Sequence, residues 1–410
     1  MRNVALSACF LIVATTLAVS GCSGSSGGSS ASATADSGGS AVYKVGFTDG
    51  LTGPTAAETQ PELADVRAVF NAVNAAGGIN GHKIDLIALD QGAPGSGEAT
   101  ANVLKLSSDG VSAILGLVIS NDCTSVASTA AQVKVPVLCV NDAPSDQVPV
   151  QPYLYVTTGL EDQEVPAMVK FGGTLLKGND KVDILTNDNI GAVSWAAAMK
   201  KQATATGMTV GGVYTMPEDA TTIAPYLSKI VADKPAALFI EIFPNFEPAL
   251  VQGLKSAGLD IPIIGSIGDM DYASQKADPD FYGVHIVDPL EPGTPGLTTN
   301  QQQLLAAYAK LGVTTAVAIN ASEGPDYLLG PYAVVAGLRA CGYPCSGAQM
   351  AAALDKQSST AVNGIIPAGA FGFSPTNHTG AKNYSFWRFD TSAGVLKPVG
   401  SSYPAAGPTS

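Results

Sequence analysis

The side chains able to do covalent or metal chemistry are few and scattered. The three histidines, His82, His285 and His378, lie far apart in the chain. Six cysteines are present, with no pair of Cys-rich knuckles of the kind zinc requires. Cys341 and Cys345 have three intervening residues rather than the two of a dithiol redox motif. There is no Gly-x-Ser-x-Gly elbow, no His-Glu-x-x-His pair, no phosphate loop and no credible Cys–His nucleophile. The close acids Asp269 and Asp271 read as solvated loop residues or ligand contacts. We therefore expect no catalytic residue, metal or cofactor: a binding protein, not an enzyme. Ser120 is the best single candidate for binding chemistry. It follows an apolar strand and precedes a helix, where a hydroxyl and free backbone N–H groups attract an anion. A plain N-cap is the compatible alternative.

The elements that would position Ser120 alternate along the chain. Strands are expected at 42–47, 83–89, 111–117 and 135–140, and helices at 57–75, 99–108 and 124–133. Leu63, Val66, Val69, Phe70 and Val73 recur at helical spacing, and Gly77-Gly78 ends that helix. The strands are continuous apolar runs, as in parallel sheets covered by helices on both faces. The pattern restarts downstream, with strands at 153–156, 181–185, 210–214, 236–242 and 261–265 and helices at 163–176, 192–206 and 246–257. A Pro/Gly-rich stretch after Val287 leads to helices at 299–311 and 327–341. The last strand expected is 384–389. The fold class is α/β: two doubly wound, Rossmann-like lobes.

The termini and charge bound the setting. Met1 to Val19 has the short basic start and apolar run of a signal peptide. It ends in Val19-Ser20-Gly21-Cys22, which resembles the lipobox of bacterial lipoproteins. That resemblance implies cleavage after residue 21, acylation of Cys22, and localisation outside the cytoplasm on the cell membrane. Residues 22–40, almost all Ser, Gly, Ala and Thr, form a flexible tether. The chain has 21 basic and 34 acidic side chains, a formal charge of −13; loss of Arg2 with the signal leaves −14. Such an acidic chain without a Lys/Arg cluster is not built for nucleic acid. Export places Cys123, Cys139, Cys341 and Cys345 in an oxidising compartment, where two disulfides form. Connectivity does not follow from sequence; we pair neighbours, Cys123 with Cys139 and Cys341 with Cys345.

Lys44-Val45-Gly46-Phe47, Leu51-Thr52-Gly53-Pro54, and above all the run Asn74-Ala75-Ala76-Gly77-Gly78-Ile79-Asn80-Gly81-His82-Lys83 carry a family resemblance. With Ala113-Ile114-Leu115-Gly116 before Ser120, and Val135-Pro136-Val137-Leu138 before Asn141, the chain resembles the branched-chain amino acid (Leu/Ile/Val)-type solute-binding proteins of ABC importers. That family has the type I periplasmic-binding fold. The resemblance implies a three-strand hinge, with lobe one at about 41–157 plus 289–383 and lobe two at about 158–288 plus 384–410. It also implies a small-molecule solute: a branched-chain amino acid, or another small amide, carboxylate or aromatic compound. The further partners implied are permease subunits and the membrane through the lipid; the chain would be a monomer. A ligand sensor acting on a receptor is the alternative reading.

Ligands of open parallel sheets sit beyond the carboxyl ends of the strands. The candidate loops are 49–55, 119–122, 141–145, 187–190, 243–246, 265–269 and 323–327. From them we take Ser120, Asn121, Asp142, Ala143, Ser145, Asn189, Phe243, Asp269 and Tyr327 as ligand-binding candidates. In the resemblance Ser120 binds the substrate carboxylate, and Asn141 to Ser145 is the second carboxylate-binding loop. Asp142 there is either a cleft acceptor or a turn residue. The acid that meets a substrate amine in the family aligns with Ile267, with Asp269 two places later. Ile190 replaces a family Tyr. Phe243 and Phe246 wall the pocket or pack the core.

Overall fold

The computed structural model describes residues 41–142, 149–160, 162–217, 219–267, 272–287, 296–313 and 324–407. In the first lobe β1 (Tyr43–Asp49), α1 (Ala56–Ala75), β2 (Ile84–Asp90), α2 (Glu98–Ser108), β3 (Ile114–Gly116), α3 (Ser120–Val133), β4 (Val137–Asp142) and β5 (Leu154–Leu160) alternate. All the strand pairs are parallel, in the order β2-β1-β3-β4-β5. Helices on both faces explain the unbroken apolar strands: Val45, Phe47 and Ile114 have no exposed surface.

The α1–β2 turn shows why the Asn-x-x-Gly-Gly run is there. Asn74 donates through Nδ2 to the Ile84 carbonyl and accepts the Ile84 N–H on Oδ1, both at 2.8 Å. Gly77 and Gly78 take φ of +102° and +78°. A Cβ on Gly78 would sit 2.3 Å from the His82 carbonyl oxygen, so glycine is required there.

The second lobe runs α4 (Val165–Leu175), β6 (Lys181–Asn187), α5 (Ile190–Ala205), β7 (Thr209–Met216), α6 (Ala224–Asp233), β8 (Ala237–Glu241), α7 (Glu247–Ser256), β9 (Ile263–Gly265), α8 (Tyr272–Ala277) and β10 (Phe281–His285). The chain then returns to the first lobe with α9 (Thr299–Lys310), α10 (Leu329–Cys341) and α11 (Gly347–Leu354). It closes in the second sheet with β11 (Asn383–Asp390) and β12 (Val395–Pro404). That sheet is ordered β12-β11-β10-β9-β8-β6-β7; only the β10–β11 and β11–β12 pairs are antiparallel. The architecture is the expected two-lobed α/β fold. Within it α6, α8, β10, α11 and β12 are additions to the elements expected from sequence, and 384–389 is not the last strand. β3 is shorter than the expected 111–117, and α3 starts at Ser120 instead of Thr124.

Buried polar groups tie the described stretches of chain where the two sheets meet. Gln163 accepts the Leu160 N–H at 2.9 Å and donates to Thr379 Oγ1 at 3.3 Å and the Ala406 carbonyl at 3.0 Å. Val156 exchanges backbone bonds with His378 and Gly380. Asp326, wholly buried, accepts the N–H groups of Ile286 at 3.0 Å and Val287 at 2.7 Å, just past β10. Disulfides join Cys123 to Cys139 and Cys341 to Cys345. No helix among the described residues is long and apolar enough to cross a membrane.

Candidate functional site

Each sheet reverses its strand order at one point: β1 next to β3 in the first lobe, β6 next to β8 in the second. Crevices open beyond the carboxyl ends of strands at such reversals. Here the two crevices share one cleft. The first lobe lines it with Glu58, Val118, Ile119, Ser120 and Asn141. The second lines it with Asn187, Asn189, Glu241, Ile242, Phe243, Pro244 and Ser266. The cavity measures about 50 Å³. That is room for a few water molecules, so admission of a solute requires the lobes to part.

On the first-lobe side the chain leaves β3 and turns straight into α3. Ile119 is the N-cap and supplies no side-chain cap, and Ser120 is the first helical residue, 4% exposed. The first amides of a helix have no intrahelical acceptor, and the helix dipole favours negative charge there. The Asp49 carboxylate holds this turn in place by accepting the N–H of Gly50 at 2.7 Å and of Val118 at 2.9 Å. Burial raises its pKa to about 6, against the opposing pull of those two bonds. Asp122 accepts from Gln91 Nε2 and the Gly95 amide, fastening the first turn of α3 to the loop after β2. Cys123, one residue on, is disulfide-bonded to Cys139 in β4. Asn141, in the same strand, accepts from Thr158 Oγ1 on β5 at 2.8 Å.

On the second-lobe side Asn189 caps α5 by accepting the Ala192 N–H at 2.7 Å. Asn187 accepts the Phe243 N–H at 2.7 Å and donates to the Met216 carbonyl at 3.3 Å. Phe243 packs against Val118, Ile119, Val140 and Tyr327, all of the first lobe. Glu164 spans α5 and the β9 loop, accepting Trp195 Nε1 at 3.0 Å and the Ile267 N–H at 3.1 Å.

The structure brings Ser120, Asn189 and Phe243 together in the cleft. Asn121 is exposed on α3 and is not part of the lining. Tyr327, 2% exposed, lies behind the wall and supports Phe243. Phe246 belongs to the second-lobe core. The Asp142 side chain, Ala143, Ser145 and Asp269 lie outside the described residues. Glu58 and Glu241 line the cleft without having been candidates. Glu58 reads in sequence as an acid at a helix start, and Glu241 as the polar end of a strand. Among the described residues no group of three or more His, Cys, Asp or Glu side chains could hold a metal ion.

A family model described as "Periplasmic binding protein" matches residues 42–394. No curated protein matches the chain. Solved structures resemble it closely in fold at low identity. A fatty acid ABC transporter substrate-binding protein from Thermomonospora curvata superposes with a TM-score of 0.72 at 18% identity, covering 88% of this chain and 92% of its own. An ABC transporter solute-binding protein from Rhodopseudomonas palustris HaA2, in complex with p-hydroxybenzoic acid, gives 0.73 at 18%, covering 90% and 98%. One from R. palustris BisB5, in complex with 3,4-dihydroxybenzoic acid, gives 0.71 at 20%, covering 89% and 98%.

Proposed function

The chain belongs to the periplasmic binding protein family, and from that premise we propose that it captures a small solute between its lobes for an ABC importer. The observation that carries this reading is the placement of one cleft at the strand-order reversals of both sheets. A solute there touches both lobes at once. It therefore binds the closed form better than the open one and draws the equilibrium toward closure. Closing excludes water and strengthens each hydrogen bond to the solute. The closed molecule then presents a distinct surface to the permease subunits.

The start of α3 receives a carboxylate of the solute, held by Ser120 and the first helical amides. Asn141 and Asn189 supply amide groups nearby, and Phe243 supplies an apolar wall. An amino-acid-like solute, including the branched-chain amino acids, meets these requirements, as do the carboxylates named for the structural relatives. The protein works outside the cytoplasm as a monomer, tethered through a lipid on Cys22. Titration calorimetry of the mature chain against amino acids and small carboxylic acids tests the reading. Micromolar binding with loss of scattering radius is expected; a chain whose lobes close on no small solute is not an importer component.

A further inference from the structure

One buried carboxylate fastens the chain where it leaves the second sheet. Asp326 lies in the turn Gly324–Leu328 and has no exposed surface. One of its oxygens accepts the N–H groups of Ile286 and Val287, the two residues that follow β10. Its other oxygen faces Nδ1 of His285, the last residue of β10, at 3.4 Å. The His285 side chain is 3% exposed, and its ring stands edge-on to Trp387 of β11. Neither ring nitrogen, nor that second oxygen, has another partner among the described residues. Tyr327, next in the chain after Asp326, supports Phe243 in the cleft wall. The pair therefore stands between a passage joining the lobes and the cleft itself.

We propose that His285 and Asp326 form a proton-operated latch on the hinge, closed when the pair holds one proton and weakened when it holds none. The inference rests on the solute-capture reading and adds regulation to it. Lobes swing by changing backbone torsions in the passages between them, and Ile286 and Val287 sit in one such passage. A buried carboxylate beside a neutral ring is a net negative charge in an apolar interior. A proton on the ring makes the pair neutral overall and draws the second oxygen into a charge-assisted hydrogen bond. Burial pushes the Asp326 carboxyl above its ordinary range, and His285 is foremost among the groups that pull it back. The proton thus belongs to the pair. Titratable groups on the surrounding elements have partners of their own. Tyr282 on β10 and Arg388 on β11 meet Asp280. Tyr272 and Lys276 on α8 meet the Phe389 ring. On α1, Asp65 holds the Tyr308 hydroxyl and Glu62 bonds Asp49, while Tyr332 on α10 faces Asp65 and Arg339. Glu164, beside the β9 loop, holds Trp195 and the Ile267 amide. A proton bound more firmly by the closed latch than by the open one closes it by reciprocity, so the latch is strongest in acid and weakens as the pH rises. The cleft is narrow in this structure, with a cavity of about 50 Å³. Acid therefore favours the narrow form, and a rise in pH favours parting of the lobes.

Hydrogen exchange follows the two latched amides directly. It is read by NMR on the solute-free mature chain at about pH 5.5 and about pH 8, with intrinsic rates corrected for pH. Protection of Ile286 and Val287 is expected to fall at least about tenfold at the higher pH, the effect of one pKa unit of coupling. Amides of β1, in the first-lobe sheet, serve as the reference. In His285→Gln and in Asp326→Asn the two amides are expected to keep one level of protection at both pH values. Equal protection of the wild-type amides at both pH values overturns the inference, as does a fall that survives both substitutions. Where a variant fails to fold, the wild-type chain alone decides. The loss of protection must track the titration of the His285 ring signal, assigned by comparison with His82→Gln and His378→Gln; a mismatch refutes the latch. The capture reading itself fails separately, if no solute closes the wild-type lobes at either pH.

Discussion

Asn187 Oδ1 accepts the backbone N–H of Phe243 at 2.7 Å, tying the ends of β6 and β8 at the second lobe's strand reversal. The same amide group donates to the Met216 carbonyl on β7, so one side chain links three adjacent strands. Asn187→Ala leaves the Phe243 amide without its acceptor and loosens the loop that carries the aromatic wall. A loss of about 1–3 kcal/mol in unfolding free energy is expected. Solute affinity should fall by roughly tenfold, about 1.4 kcal/mol. Urea denaturation and calorimetry measure the two separately.

Ser120→Ala should weaken a carboxylate-bearing solute by about tenfold. The comparison is calorimetric, using the same solute for both proteins. Equal affinity in the variant would place the carboxylate elsewhere than the start of α3.

The Cys123–Cys139 bond closes a loop with a sequence separation of 16 and joins α3 to β4, the elements that present Ser120 and Asn141. Replacing both cysteines with alanine should cost about 3 kcal/mol by the loop-closure relation. It should also reduce solute affinity, because two parts of the first-lobe wall lose their link. The Cys341–Cys345 bond, with a separation of 4, sits at the end of α10 away from the cleft. Its removal should leave affinity unchanged. Guanidinium melts of the two double variants, with and without solute, check both statements.

Asp49 predicts a pH dependence. Its pKa is raised by burial from 3.8 to about 6. An acid whose folded pKa exceeds its unfolded value holds its proton more firmly in the folded state. Its contribution is therefore fully present below about pH 4 and is lost as the pH climbs through about 6. The loss amounts to about 3 kcal/mol, and the contribution is flat above that range. Asp49→Asn should remove this component, so the difference in stability between the two proteins should change between pH 4 and pH 6 and then level off. A difference independent of pH would show that Asp49 does not titrate in that window.

The doubly wound pattern was legible because the strands are buried on both faces and read as uninterrupted apolar runs. Ser120, Asn189 and Phe243 followed from it, since the residues after such strands face the crevice. β10 was not legible: Gly283 sits in its centre, and Asp278 and Asp280 precede it. β12 contains Pro398 and Gly400, which an edge strand tolerates and a central one does not. The helix α11 starts within two residues of a Cys-Gly-Tyr-Pro-Cys loop that looks like irregular structure. Glu58 and Glu241 were hidden for another reason. Each is an unremarkable acid in its own lobe, and only the meeting of two crevices distant in sequence makes them neighbours.

Phe243 belongs to the second lobe yet rests on Val118, Ile119, Val140 and Tyr327 of the first. Parting the lobes must therefore wet an aromatic ring and the aliphatic patch beneath it, and rejoining them must dry both. Capture of solute then carries a negative heat-capacity change larger than the solute's own apolar surface accounts for. The temperature slope of the binding enthalpy becomes a gauge of how far the two halves have swung together.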